Sequence, residues 1–173
     1  MIIFKKRVPG LTTAAMTGFV ARARRAARLQ QEVNILVTSS RELQSLNRRF
    51  RGKNYPTDVL SFPAGGDLEK SFAGDVAISA EIATKSALQL RHSTAEEVKI
   101  LVLHGLLHLA GYDHERDHGE MARKENRLRR SLGLPVGLIE RQSRHKTRTT
   151  LATGSTPKRK LTGKGARAAR TSK

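Results

Sequence analysis

Between Thr94 and Leu109 the chain carries Val98, Ile100, Leu101, Val102, Leu103, Leu106, Leu107 and Leu109, apolar side chains spread around every side of a helix. A helix of that kind has no face to offer water and must run through the interior of the fold. Two imidazoles, His104 and His108, go in with it. Their nitrogens need partners once they are away from water. The four-residue separation places both rings on one face, one turn apart. Gly111 readily adopts the left-handed conformation that ends a helix, so the chain can reverse there and bring His114, after Tyr112 and Asp113, back to the same point.

Three His ligands on a four-coordinate zinc leave one position for water, which marks a catalytic rather than a structural site. The plainer alternative is a core histidine satisfied by ordinary polar neighbours. Against it, three of the chain's six histidines fall within the eleven residues from His104 to His114. His118, preceded by Asp117, is a competing third ligand one helical turn further on, but it falls past the turn, where the last helix begins. The frame is that of the metzincin proteases, which carry Glu directly after the first His as general base; here that residue is Gly105, which disfavours peptide hydrolysis. The chain has no cysteine, which excludes a disulfide framework, a thiolate zinc site and a thiol nucleophile.

The segments around the central helix alternate between strand and helix patterns. Ile2 to Val8 reads as a strand, and Thr12 or Thr13 caps a helix to about Leu29. Its apolar positions Met16, Phe19, Val20, Ala23 and Ala27 keep helical spacing, with Arg22, Arg24, Arg25 and Arg28 on the rest of its surface. Val33 to Thr38 is a strand and Ser40 caps a helix carrying Leu43, Leu46 and Phe50. A loop from Arg51 to Thr57 leads to a strand over 59–62, and a turn over 65–70 joins it to another over 72–78, as an antiparallel hairpin. Ser79 begins a helix to about Leu90, Thr94 and Glu97 have capping-box spacing, and a final helix runs from His118 to Leu132 with Met121, Leu128 and Leu132 inward. The expected fold is α+β: a small mixed sheet packed with helices, with the metal-binding histidines on a buried helix and the turn after it.

The formal charge is +18 over 173 residues. Residues 141–173 hold eleven Lys and Arg and no acid, leaving 22 basic and 15 acidic residues, a balance of +7, for residues 1–140. That division predicts one hydrolase domain over 1–140 and a basic tail over 141–173 that lacks the apolar residues to offset its ordering entropy. Such a surplus favours a polyanionic partner, with nucleic acid first. The tail has no amphipathic stripe for a membrane surface, no apolar run reaches spanning length, and Met1 to Pro9 is no signal segment, so a cytoplasmic location without membrane is expected.

Four segments, in order, resemble the YbeY family, the bacterial rRNA maturation factors: Leu46 to Lys53, Thr57 to Pro63, Gly74 to Ser79, and His104 to His114 with Gly after the first His and Gly-Tyr-Asp-His at its end. The four lie between Leu46 and His114, and the resemblance covers about residues 1–135. The resemblance implies a zincin-like fold and one zinc per chain on His104, His108 and His114. It also implies a metal-dependent endoribonuclease acting on the 3′ end of 16S rRNA, in small-subunit assembly or quality control. It places the family's functional arginine on Arg51. The partners it implies are ribosomal RNA, the small subunit or ribosome, small-subunit ribosomal proteins and an assembly GTPase.

Arg51 would clamp a phosphate through paired guanidinium donors; the alternative is a solvated loop cation. Lys53, Asp58, Ser61, Asp75 and Asp113 are candidates for substrate contact or for orienting a ligand imidazole, as is Asp117, with turn, strand and capping roles as the alternative. The rival to the enzyme is a non-catalytic RNA- or ribosome-binding assembly factor with a structural zinc.

Overall fold

The computed structural model describes residues 1–66 and 70–135. The basic tail expected over 141–173 lies outside the described residues, as does part of the turn between the hairpin strands. The elements run β1 (Ile2–Phe4), α1 (Thr13–Ala27), β2 (Glu32–Thr38), α2 (Ser40–Arg51), β3 (Val59–Pro63), β4 (Phe72–Ser79), α3 (Ala80–Leu90), α4 (Thr94–Leu109) and α5 (Glu120–Ser131). The four strands form one sheet in the order β1-β2-β4-β3. β1 pairs with β2 and β2 with β4 in parallel, while β3 and β4 form the expected antiparallel hairpin. The sheet is therefore mixed, with β3 on one edge.

Alternation along the strands divides the interior. Val33, Ile35 and Val37 of β2 and Val76 and Ile78 of β4 face the large core, with the buried stripes of α1 and α5 and most of α4. Leu36 of β2, Leu60 of β3 and Ala77 of β4 face the opposite side, where Leu43 and Leu46 of α2 cover them. The helix read as apolar all round is enclosed as expected: eleven of its sixteen residues are buried. Met121 and Leu128 are buried and Leu132 packs against the core at its margin.

Three local readings need correction. The cap of α2 is Ser39 rather than Ser40: the Ser39 hydroxyl accepts from the Glu42 N–H, and Ser40 is the first residue of the helix. β1 stops at Phe4 rather than Val8, because the N–H groups of Lys5 and Lys6 both turn to the Val37 carbonyl and the chain leaves the sheet. The capping box of α4 is Ser93 with Glu96, one residue ahead of the Thr94 and Glu97 pair: the Ser93 hydroxyl accepts from the Glu96 N–H and the Glu96 carboxylate from the Ser93 N–H. Glu97 is instead buried 2.6 Å from His92 Nε2. Thr94 does not open the box, because Ser93 one step earlier has the extended backbone that a cap needs and Thr94 is already the first residue of the helix.

Candidate metal centre

Helix α4 carries His104 and His108 to the end of the core, where His104 is 3 % exposed. His104 Nδ1 lies 3.0 Å from Glu125 Oε2, on a carboxylate of α5 that is itself 1 % exposed. That contact turns the other ring nitrogen toward His108, and the two Nε2 atoms are 3.1 Å apart. The helix closes at Ala110, Gly111 takes φ +89°, and the Tyr112 N–H returns to the Leu107 carbonyl. Asp113 builds the turn beyond: its side chain accepts from the Glu115 N–H at 3.0 Å, and its carbonyl accepts from the N–H groups of Arg116 and Asp117. His114 is thereby brought back to the helix end, its ring 5.2 Å from those of both His104 and His108. One nitrogen from each of the three rings lies within 4.8 Å of the others, so one ion could be held by all three.

His118 stands outside this group and is exposed. Asp117 caps α5, accepting from the N–H groups of Gly119 and Met121 at 2.7 Å each. These hydrogen bonds, Met121's foremost, hold its carboxyl below the usual range. Among the described residues no hydrogen bond joins it to an imidazole.

The cluster suits a cation. Burial first, then the neighbouring His104 and His114, push the His108 pKa down to about 4 against a hydrogen bond with the Tyr112 backbone and the charge of Asp113. At neutral pH this ring is uncharged, the form whose lone pair ligates. His114 Nδ1 is buried with no hydrogen-bond partner among the described residues. Three convergent imidazoles, one with an orphaned nitrogen, form a donor set that a transition-metal ion would satisfy. A ligating histidine commonly gives its second nitrogen to a carboxylate, the relation that His104 has with Glu125.

The histidines form one wall of a cleft of about 580 Å³ whose other wall is the α2–β3 connection and the edge strand β3. Arg51 is the last residue of α2, which ends on Gly52 at φ +68°. Its Nη2 donates to the Ser61 carbonyl at 3.4 Å. Lys53 and Tyr55 are exposed at the rim. The Asp58 carboxylate also lines the cleft but is engaged locally, accepting from the Thr57 hydroxyl and the Val59 N–H. Ser61 Oγ donates to the Gly105 carbonyl at 3.3 Å, tying β3 to α4 beneath the cluster. Asp75 lies away from the cleft, on the other side of the sheet, 2.9 Å from Asn34 Nδ2. Of the expected residues, the cleft thus brings together the three histidines, Arg51, Lys53, Asp58, Ser61 and Asp113.

Gly105 has a structural reason as well. A Cβ there would stand 2.6 Å from Val76 Cγ1 and 3.0 Å from Ser61 Oγ, so this position presses on the sheet and has no room for the base a metzincin carries. Glu125 was not anticipated from the sequence. The signal was present: Met121, Glu125, Leu128 and Leu132 fall at i, i+4, i+7 and i+11, so a carboxylate sits in the apolar stripe of α5.

The chain is 55 % identical over 144 residues to an endoribonuclease YbeY from Koribacter versatilis, covering 83 % of this chain and 93 % of that one. It is 52 % identical over 122 residues to one from Solibacter usitatus, covering 67 % and 80 %. A Helicobacter pylori endoribonuclease YbeY is 42 % identical over 111 residues, 64 % of this chain and 79 % of that one. A solution structure from Thermotoga maritima superposes with a TM-score of 0.54 at 25 % identity, covering 92 % of this chain and all of that one. The family model for endoribonuclease YbeY matches residues 5–133, from just after β1 to just past α5 and across every residue of the histidine cleft, and the chain belongs to that family.

Proposed function

We propose that the protein is a zinc-dependent endoribonuclease that processes the 3′ end of 16S ribosomal RNA during small-subunit assembly, with His104, His108 and His114 as ligands and Arg51 as the phosphate clamp. Its relatives are named for RNA cleavage, and a cleft that joins a cluster of three imidazoles to a guanidinium suits phosphodiester hydrolysis. The observation that carries the reading is the convergence of the three imidazoles opposite Arg51 across one cleft. The 3.1 Å between the Nε2 atoms of His104 and His108 is close to the roughly 3.3 Å that two tetrahedral zinc bonds of about 2.0–2.1 Å each require.

When bound, the ion supplies Lewis acidity toward a phosphoryl oxygen or toward water. Arg51 provides what the histidines cannot: the paired N–H donors of a guanidinium for the negative charge that grows on the phosphate. Its present bond to a neutral backbone carbonyl is long, so a phosphate can take its place at little loss. Glu125 fixes the tautomer and direction of His104. The basic excess brings the polyanion to the cleft, and the small ribosomal subunit, its proteins and an assembly GTPase are the partners this role implies.

The test is cleavage of ribosomal RNA by the purified full chain with metal, beside His114→Ala and Arg51→Ala. Loss of cleavage in both variants with the fold retained is expected. Unchanged cleavage in both would sink the proposal. Ribosome association without cleavage by the unmodified chain would favour the non-catalytic assembly factor.

A further inference from the structure

Helix α2 covers only part of its side of the sheet. Beyond Leu36, Ala77 and Leu60, the next row, Asn34, Asp75 and Phe62, is formed by residues in register on β2, β4 and β3. An apolar groove of about 740 Å³ runs along this uncovered face. Phe50, 58 % exposed at the end of α2, overhangs it, with its ring centroid 5.2 Å from that of Phe62 in an edge-on arrangement. The Arg49 guanidinium lies 5.2 Å from the Phe50 ring centroid. The groove is continuous with the histidine cleft, because Arg51, Ser61 and Pro63 line both.

We propose that this face is a subsite for single-stranded RNA, in which a guanine outside the scissile linkage stacks on the exposed Phe50 ring, beside Phe62, and is read by Asp75. The inference rests on the endoribonuclease reading and specifies what that site selects. Aromatic rings that are accessible on a sheet surface stack bases, and a guanidinium beside them adds cation–π attraction. Phe62 and Asp75 are cross-strand neighbours, about 5 Å apart, within the span of one nucleobase. Guanine alone among the four bases offers two parallel donors, N1–H and the 2-amino group, which match the two oxygens of a carboxylate. Asn34 holds the Asp75 carboxylate from the side at 2.9 Å and so sets its direction. A protein strand would be the rival occupant of an apolar groove. Continuity with a phosphate-clamping arginine, and the Arg49 guanidinium over the Phe50 ring, favour RNA.

The experiment is fluorescence anisotropy of the full chain with labelled, cleavage-resistant 2′-O-methyl phosphorothioate hexanucleotides, all-adenine or with one guanine or inosine. Guanine should bind about tenfold tighter than adenine, with inosine between them. Phe50→Ala should weaken every oligonucleotide about tenfold, the lower range for one stacked base. Asp75→Asn should erase the guanine preference while leaving the adenine oligonucleotide unaffected. Leu88→Ala, 76 % exposed on α3, should change nothing. Equal affinities across the bases, or wild-type binding by both groove variants, overturn the proposal. So does retained RNA binding with lost capture of a small-subunit protein, which would make the groove a protein site. Cleavage of intact ribosomal RNA by the wild-type chain is read separately: its absence tells against the enzyme and leaves the base comparison standing.

Discussion

Replacing Gly105 by Ala tests how tightly α4 is pressed on the sheet beneath the histidines. The new methyl would lie 2.6 Å from Val76 Cγ1 and 3.0 Å from Ser61 Oγ, against about 3.5–4.0 Å for a relaxed carbon contact. Neither neighbour can easily give way. Val76 is fully buried on β4, which is flanked by β2 and β3, and the Ser61 hydroxyl is bonded to Gly105's own carbonyl. Overpacking of this kind costs about 1–3 kcal/mol, while Ala in place of a helical Gly returns about 1 kcal/mol. A net loss of up to about 2 kcal/mol is expected, or up to roughly 6 °C in the unfolding midpoint of a domain this size. The diagnostic measurement is a double-mutant cycle with Val76→Ala in urea unfolding. Removing the clashing methyl groups should recover about 1 kcal/mol or more of coupling. A Gly105→Ala variant more stable than the parent, or strictly additive losses in the cycle, would refute the contact.

Two further variants probe the support of the site and of α4. Glu125→Ala removes the acceptor for His104 Nδ1, and loss of such a partner weakens metal binding about 10–100-fold; chelator competition should register it, and an unchanged affinity would deny Glu125 the orienting role. Glu96→Gln bears on acid stability. Its carboxyl is held below the usual range, first by the Ser93 hydroxyl and then by the Ser93 N–H. A lowered folded pKa adds stability above the unfolded value, and that contribution is lost as pH falls through the folded pKa. The parent's thermal midpoint should therefore fall more steeply than the variant's below about pH 4.5, and parallel curves would contradict the linkage.

The histidine group was legible because helical periodicity, a buried apolar surround and a glycine at the turn are all local properties of one segment, His104 to His114. The sheet's alternation and the hairpin were legible for the same reason. The strand order was not: placing β4 between β2 and β3 depends on which faces pack, and no single segment encodes it. Glu125 was missed because its partner is 21 residues away and its carboxylate resembles any helix-surface acid until the stripe it shares with Met121 and Leu128 is read as buried. The separation of Asp75 from the cleft also needed the sheet, since one step along a strand, from Gly74 or Val76 to Asp75, exchanges one face for the other.

The cleft's acids constrain how the proposed reaction is assisted. Its carboxylates are Asp58, Asp113 and Glu115. Asp58 accepts from Thr57 and Val59, and Asp113 braces the turn that returns His114. Glu115 lies exposed at the margin, and position 105 has no space for a base. A cleft so short of an uncommitted internal carboxylate depends on charge stabilisation more than on proton abstraction by the protein, which puts the weight on Arg51. Arg51→Lys therefore discriminates between charge and geometry. It keeps the cation but loses the fork that meets two phosphate oxygens at once. Removal of one preorganised donor costs about 10²–10³ in turnover, so Arg51→Ala should fall by that much and Arg51→Lys by about tenfold, with metal content unchanged in both. Equal losses in the two variants would mean that fork geometry is everything, and a fully active Lys variant would mean that a simple cation suffices and that the clamp assigned to Arg51 is wrong.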